Sequence, residues 1–288
     1  MLDSDFEFLR SYLKDRSGLA LAPEKRYLVD SRLSPICRRL GFEGVTELVS
    51  KLRASRDVTL EKAVVEAMTT NETFFFRDKT PFTLFSDVIL PQMLSARAAK
   101  RKLRIWCAAA STGQEPYSLA MILDEARGRL SGWQIEIIAT DISTEVLEKA
   151  QAGVYTQFEV QRGLPIQMLL KYFEQKGESW HISPKIKSMV NFRQLNLIKD
   201  FASLGQFDVI YCRNVLIYFD QPTKEDVLRR LSASLSADGL LLLGAAETVI
   251  GLTDALTPHA QQRGLYVPNK HTAQAARSSI PMRVAARA

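Results

Sequence analysis

The hydrophobic pattern changes period once along this chain, and the change divides it in two. Up to about residue 70 the apolar positions recur every three or four residues. They run Phe6, Leu9, Tyr12, Leu13, then Val29, Leu33, Ile36, Leu40, then Val45, Leu48, Val49, Leu52. This spacing lines one face of a helix, so residues 1–70 are predicted to be all helical. Pro35 falls inside the second of these segments and is expected to kink or split it, since an interior proline costs about 3 kcal/mol. From Lys102 onward, short apolar runs alternate with helical patterns. Strands are predicted at 105–110, 135–139, 189–195, 207–212, 240–243 and 264–268, and helices at 117–126, 145–150 and 223–235. Such alternation predicts an α/β region with a mostly parallel sheet covered by helices. Residues 151–188 are less regular, interrupted by Gly153, Gly163, Pro165, Gly177 and Pro184. They read as a helix near Ile166–Phe173 with a small insertion of short strands.

The stretch RIWCAAASTGQEPYS, Arg104–Ser118, carries the first chemistry. Its apolar run turns at Ser111, Thr112 and Gly113 into a helix with Pro116 in the first turn. Gly113 can take a positive φ and is expected to let a ligand approach the backbone closely. A helix N-terminus opens there with unpaired N–H groups and partial positive charge. Glu115 in the turn would repel a pyrophosphate and welcome a cation, and the three-glycine dinucleotide fingerprint is absent. S-adenosylmethionine suits such a turn, because its sulfonium and ammonium are positive while its carboxylate can use the helix N–H groups. Asp141, closing the next apolar strand in the sequence ATDIS, can accept both ribose hydroxyls. It can also cap the helix that begins near Ser143.

Composition narrows the classes further. The 288 residues are 46% hydrophobic, with no apolar run near the roughly 20 residues that span a bilayer. The start, MLDSDFEF, is acidic where a secretion signal is basic, so a cytoplasmic protein without membrane insertion is expected. Cys37, Cys107 and Cys212 are scattered, and the histidines are His181, His259 and His271, which argues against disulfides and against a metal site. The net charge of +6 is partly local: residues 269–288 carry Lys270, Arg277, Arg283 and Arg287 with no acid. That tail, rich in Ala and Ser, is expected to be disordered. Lys25, Arg32 and Arg39 fall seven apart, nearly two helical turns, and form one basic stripe. It reads either as a solvated face or as a docking surface for an acidic partner.

Two further stretches complete the pattern. NETFFFRD, Asn71–Asp78, places an aromatic cluster among Asn, Thr and Arg at the junction of the two regions. CRNVLIYFD, Cys212–Asp220, ends a buried strand in Arg213 and Asn214, followed by Tyr218, where polar groups face the ligand crevice of a doubly wound sheet. Together NETFFFRD, AAASTGQEPYS, ATDIS, QLNL and CRNVLIYFD, in this order, closely resemble the chemotaxis receptor glutamate O-methyltransferases, the CheR family. The resemblance runs from near the N-terminus to about Pro268.

It implies an all-α N-terminal domain over 1–70. A Rossmann-like S-adenosylmethionine-dependent methyltransferase domain follows over 71–268, with a β-subdomain inserted at about 151–188. By motif match it implies cofactor contacts at Asn71, Thr73, Arg77, Glu115, Asp141, Asn196, Leu197, Arg213 and Asn214, with Arg77 and Tyr218 nearest the transferred methyl. In that reading Glu115 pairs with the methionine ammonium, Asp141 with the ribose and Asn196–Leu197 with adenine. The implied substrate is a glutamate on the cytoplasmic helices of a chemoreceptor, and the stripe of Lys25, Arg32 and Arg39 becomes a receptor-docking candidate. The segment EQKGESWHISPK is short and poor in glycine, so dependence on a receptor tail tether is not expected. The competing classes are a non-catalytic adenosylmethionine sensor and a methyltransferase for another protein or nucleic acid. The nucleic-acid enzyme would usually carry Asn-Pro-Pro-Phe where Arg213–Leu216 stands. No nucleic acid and a monomer are expected.

Overall fold

A computed structural model describes residues 1–269. The basic tail predicted to be disordered lies, from Lys270 on, outside the described residues. Four helices open the chain: α1 (Asp3–Ser17), α2 (Arg26–Leu40), α3 (Val45–Ala54) and α4 (Val58–Met68). The predicted apolar faces meet in one core, where Leu9, Leu13, Val29, Leu33, Leu48, Val49 and Val64 are completely buried. Of the two expected outcomes at Pro35, the split does not occur: α2 continues through it as one helix. Proline there removes only its own bond to the carbonyl of Ser31, and Ser31 and Pro35 are both exposed, so water can serve that carbonyl. Buried Val29, Leu33 and Cys37 hold the helix on both sides of the defect.

A helical stretch that the hydrophobic pattern did not announce links the two regions. It comprises α5 (Thr80–Leu84), a π-type turn at Phe85–Ile89 and α6 (Leu90–Ala96), with Phe82, Phe85, Ile89 and Met93 buried under the sheet. The sheet itself contains β1 (Lys102–Ala108), β2 (Gln134–Asp141), β6 (Val190–Gln194), β7 (Phe207–Cys212), β8 (Leu235–Leu243), β9 (Leu256–Pro258) and β10 (Leu265–Pro268). Their spatial order is β6-β2-β1-β7-β8-β10-β9. The first five are mutually parallel, and β10 is antiparallel to both of its neighbours. Alternate residues of β1 feed opposite cores, Ile105 and Cys107 to one face, Trp106 and Ala108 to the other. Helices α7 (Gln114–Glu125), α8 (Thr144–Ala152) and α12 (Gln221–Ala233) make the crossovers. Strand order reverses between β1 and β7, which is where a doubly wound sheet opens a crevice at its carboxyl edge.

The irregular insertion is a separate small sheet. Strands β3 (Val154–Thr156), β4 (Phe173–Lys176) and β5 (Ser179–Ile182) pair antiparallel in the order β3-β5-β4. They are accompanied by α9 (Gln157–Gln161), α10 (Ile166–Tyr172) and α11 (Pro184–Lys187). Phe75, fully buried, fastens this sheet to the molecule through edge-on contacts with Tyr155 and Phe173, at 5.1 and 5.5 Å between ring centres. The helical region is tied to the loops after the strands by polar contacts. Lys14 pairs with Asp220 at 2.6 Å, the Ala20 N–H donates to the Tyr218 carbonyl at 2.8 Å, and Thr144 N–H donates to Glu66 at 2.6 Å.

Candidate active site

One cavity sits at the switch point, and all ten positions singled out by motif line it: Asn71, Thr73, Arg77, Glu115, Asp141, Asn196, Leu197, Arg213, Asn214 and Tyr218. They come from five separate segments of chain, which the parallel strands bring to one edge. Ser17, Leu19, Thr69 and Thr70 of the helical region also line it, as do Ala109 to Ser111. The contribution of Ser17 and Leu19 had no signal in the sequence, because only tertiary packing brings α1 over the sheet.

The β1 turn is held by Asp141. One carboxylate oxygen accepts the Ser111 N–H at 2.8 Å and the other the Ser143 N–H at 3.0 Å. Ala109 and Ser111 both adopt left-handed conformations, with φ +58° and +51°, a strain of about 1 kcal/mol or more each that this clamp offsets. The cap of α8 is Ser143 rather than Asp141. Gly113, by contrast, does not serve the ligand. Its φ of +93° requires glycine, but a Cβ there would press on Ala150, Tyr117 and Phe192 of the protein core, at 3.0 to 3.3 Å. The residue that opens the turn for the helix therefore faces the protein interior, while Ala109, Ala110 and Ser111 face the cavity.

Glu115 and Arg213 face each other across the cavity floor at 2.8 Å. Burial pushes the Glu115 carboxyl above the usual range, and the charge of Arg213 opposes that shift. Burial works against the Arg213 charge in turn, and Glu115 and Asp78 hold it ionised. Its guanidinium also donates to Asp78 at 2.6 Å and to the Arg77 carbonyl at 3.0 Å. Both terminal nitrogens of Arg213 are thus engaged by the protein, while its buried Nε has no hydrogen-bond partner. Asn196 is likewise engaged: its side-chain amide donates to the Arg16 carbonyl at 2.6 Å and accepts from the Ile198 N–H at 3.2 Å. Asp141 has a raised pKa too, from burial, which its backbone donors oppose.

Arg77 remains partly exposed, donating to the Glu72 carbonyl at 2.7 Å with its guanidinium 5.7 Å from the centre of the Phe74 ring. Tyr218 is half-buried on the same wall. Of the basic stripe, Lys25 and Arg39 are exposed, whereas Arg32 is not a free cation. It donates to the carbonyls of Met68 and Thr69, at 2.6 and 3.0 Å, and to Thr70 Oγ1 at 2.9 Å. Arg32 caps the end of α4 and holds the strand of chain that leads into Asn71.

These groups suit S-adenosylmethionine. Asp141 uses one acceptor site on each oxygen and retains capacity for two hydroxyls. Glu115 offers a buried anion for an ammonium. The three cysteines are buried and unpaired, with Cys107 and Cys212 thiols pushed up by burial, so none is poised as a nucleophile. Among the described residues there is no cluster able to hold a metal ion, and no helix is long and apolar enough to cross a membrane.

Comparison with known proteins gives the family. Residues 71–265 match the family model described as CheR methyltransferase, SAM binding domain, and residues 4–69 match CheR methyltransferase, all-alpha domain. A chemotaxis protein methyltransferase of Pseudomonas aeruginosa is 44% identical over 257 residues, covering 88% of this chain and 93% of that protein. Another, from Pseudomonas putida, is 42% identical over 254 residues, covering 87% and 92%. The boundary between the two matched models falls where Arg32 grips residues 68–70, just before Asn71, the first of the motif residues in the cavity. With both models matched in sequence and the switch-point cavity built from the motif residues, the chain belongs to the CheR methyltransferase family, with S-adenosylmethionine as its cofactor.

Proposed function

We propose that the protein transfers a methyl group from S-adenosylmethionine to glutamate carboxylates on the cytoplasmic helices of chemoreceptors, giving methyl esters. One observation carries the reading. The cavity presents Glu115 and Asp141 as buried acceptors for a cationic donor and Arg77 and Tyr218 at its wall, with no histidine in its lining. An acceptor amine or hydroxyl has to lose a proton, whereas a glutamate, with a pKa of about 4.3, arrives ionised and requires no general base.

Bound in the cavity, the cofactor supplies an electrophilic methyl on a sulfonium. Glu115 would hold its ammonium, Asp141 its ribose, and the Asn196–Leu197 wall its adenine. Arg77, with a planar fork that matches two carboxylate oxygens, orients the acceptor. It serves orientation rather than activation, because a grip that is stronger on the charged ground state than on the charge-cancelling transition state would slow the reaction. The new bond joins a carboxylate oxygen to the methyl carbon as the carbon–sulfur bond breaks, and no proton moves. Rate then derives from alignment and from exclusion of water, to which Ser17 and Leu19 of the helical region contribute as part of the wall. Lys25 and Arg39 are the proposed receptor contacts, and complementary charge there would act mainly on association rate. The β4–β5 turn is only Gly177 and Glu178, too short to form a recognition loop, in keeping with turnover that does not depend on a tail tether.

The test is incubation of the purified chain with methyl-labelled S-adenosylmethionine and membranes that contain the host's chemoreceptors. Label on the receptor band, released as volatile methanol by mild base, is the expected result. Base-stable label, or label on nucleic acid or on another protein, would overturn the proposal.

A further inference from the structure

The loop after β8 contains a buried acid, Glu247, that neither the sequence motifs nor the cavity lining brings forward. Its carboxylate accepts four backbone N–H groups. Oε1 takes Val215 at 3.0 Å and Leu216 at 2.7 Å, while Oε2 takes Asn214 at 2.8 Å and Gly244 at 2.7 Å. Three of these donors are consecutive and belong to the turn that follows β7. Consecutive N–H groups converge in this way where a turn brings in a left-handed residue, and Asn214 has φ +59°. Such a concavity usually recruits a ligand's anion; here the protein's own carboxylate fills it. The fit is close, since a Cβ on Gly244 would stand 2.7 Å from Glu247 Oε2 and 3.0 Å from the Asn214 nitrogen.

The clamped turn bears on the chemistry. Asn214 and Val215 line the cofactor cavity, and the short helical turn Leu216–Tyr218 that starts from the clamp delivers Tyr218 to the same wall. Leu216 is itself buried in the core beneath. Without the carboxylate, four buried or half-buried donors lose their partner and Asn214 loses the bond that offsets its strain. We infer that Glu247 is a positioning residue for methyl transfer: it fixes the Asn214–Leu216 backbone and so sets Asn214 and Tyr218 against the cofactor. The inference rests on the cofactor occupying the cavity and not on which acceptor is methylated.

Asp208 is the matched control. It is also a buried acid that accepts a backbone N–H, from Arg104 at 2.8 Å, and a guanidinium, from Arg97 at 2.7 Å, but it stands at the opposite end of β7 outside the cavity. The experiment compares Glu247→Gln, Gly244→Ala and Asp208→Asn in the full chain, well below each variant's own melting midpoint. Readouts are S-adenosylhomocysteine affinity by calorimetry and kcat on receptor membranes. Glu247→Gln places an amide N–H₂ against backbone donors and is the primary test; Gly244→Ala crowds the same carboxylate from the other side, at 2.7 Å, and the Asn214 side chain as well, at 2.9 Å, so it supports the inference only alongside Glu247→Gln. Both are expected to lower kcat at least tenfold and affinity several-fold while the chain stays folded. Asp208→Asn is expected to lower the midpoint with both readouts within twofold of the unaltered chain.

If Glu247→Gln and Gly244→Ala keep kcat and affinity within twofold, or if Asp208→Asn loses as much as they do, Glu247 is an ordinary stabilising residue and the inference fails. An unaltered chain that binds no S-adenosylhomocysteine would instead sink the cavity reading, and this one with it. Binding without turnover on receptor membranes would sink only the acceptor assignment, and the affinity comparison would still decide for or against Glu247.

Discussion

Two turns meet at the switch point, one after β1 and one after β7, and both solve the same problem with different reserves. Each contains non-glycine residues in left-handed conformations: Ala109 and Ser111 in the first, Asn214 in the second. A buried carboxylate holds each by accepting backbone N–H groups, Asp141 for the first and Glu247 for the second. Asp141 accepts two such bonds and faces the cavity, so it has acceptor capacity left for a ligand. Glu247 accepts four and stands behind the wall, so it is saturated by the protein. The same functional group thus keeps free acceptor capacity on one side and is wholly used as scaffold on the other. The turn gripped by Asp141 should govern how tightly the cofactor is held, and the wall beyond it, at Arg77 and Tyr218, how fast the methyl moves.

The largest effect expected is at that second wall. Replacing Arg77 with Ala removes the fork proposed to orient the acceptor, and misplacement of reacting groups by about 1 Å costs on the order of 10²-fold in rate. Steady-state assays should show kcat down by about 10²-fold or more, with S-adenosylhomocysteine affinity changed far less. Arg77→Lys, which keeps the charge but not the fork, should recover little. An equal loss of affinity and kcat in Arg77→Ala would break the division of labour between the two turns.

Next in size is Asp141→Ala. Loss of hydrogen bonds from a charged acceptor to two hydroxyls, at about 1.5 kcal/mol each, predicts S-adenosylhomocysteine binding weaker by about 10²-fold by calorimetry. The orphaned N–H groups of Ser111 and Ser143 should also lower thermal stability, by about 1–3 kcal/mol for each buried donor. Saturating cofactor should restore much of the kcat if Asp141 holds rather than catalyses; failure to recover would place Asp141 in the chemistry itself.

The contrast between the two carboxylates also explains what could be read before the fold was known. Asp141 was legible because it ends an apolar strand, a local and periodic feature, and the doubly wound topology assigns ribose binding to that place. Glu247 grips backbone 31 to 33 residues away, and nothing in the local pattern of GAAET marks it. The helical first region and the parallel strands are legible in hydrophobic spacing, and the inserted small sheet in the loss of that spacing among Gly153, Gly163, Pro165, Gly177 and Pro184. The stretch Thr80–Ala96 is less legible: Phe82, Phe85, Ile89 and Met93 recur every three or four residues, but Pro81 and Pro91 punctuate the run and it folds as two short helices joined by a π-type turn. Gly113 was read correctly as needing a positive φ but wrongly as a ligand's approach, because a sequence does not say which side of a turn faces the protein. Arg32 failed for the same reason: helical spacing gives the direction of a side chain along its own helix and not what the next helix has placed there.

Acid should sharpen the first turn's role. Burial raises the pKa of both Glu115 and Asp141 above their ordinary values of 4.5 and 3.8, so each takes a proton at a higher pH than an exposed acid would. A cation and two hydroxyls need the ionised forms. Cofactor affinity should therefore fall as pH drops through the raised values, by about tenfold per unit for each proton that binding must displace. The contribution of the same two groups to stability has the opposite sign. A carboxyl whose folded pKa is raised favours the folded state as pH falls toward its unfolded value, so affinity should be lost before acid unfolding. Calorimetry across the pH range, beside circular dichroism, checks the order; simultaneous loss would show that the fold and not the turn is titrating. In Glu115→Gln the affinity should already be low and its pH dependence shallower.

The smallest effect tests the far end of the molecule, where neither turn should be disturbed. Reversal of Lys25 and Arg39 to Glu changes four units of charge on an exposed helical face that lines no part of the cofactor cavity. If acidic receptor helices dock there, the KM for receptor membranes should rise a few-fold at low salt. The difference should shrink as salt screens charges more than about 10 Å apart. Adenosylhomocysteine affinity and the melting midpoint should stay unchanged. Arg32 does not belong in that test. Its guanidinium holds the chain from Met68 to Thr70, so Arg32→Glu should lower stability and disturb Asn71 at the cavity mouth whether or not a receptor is present. A salt-independent loss in the Lys25 and Arg39 variant would place it in the same class as Arg32, and the docking face would then have to be sought elsewhere on the helical region.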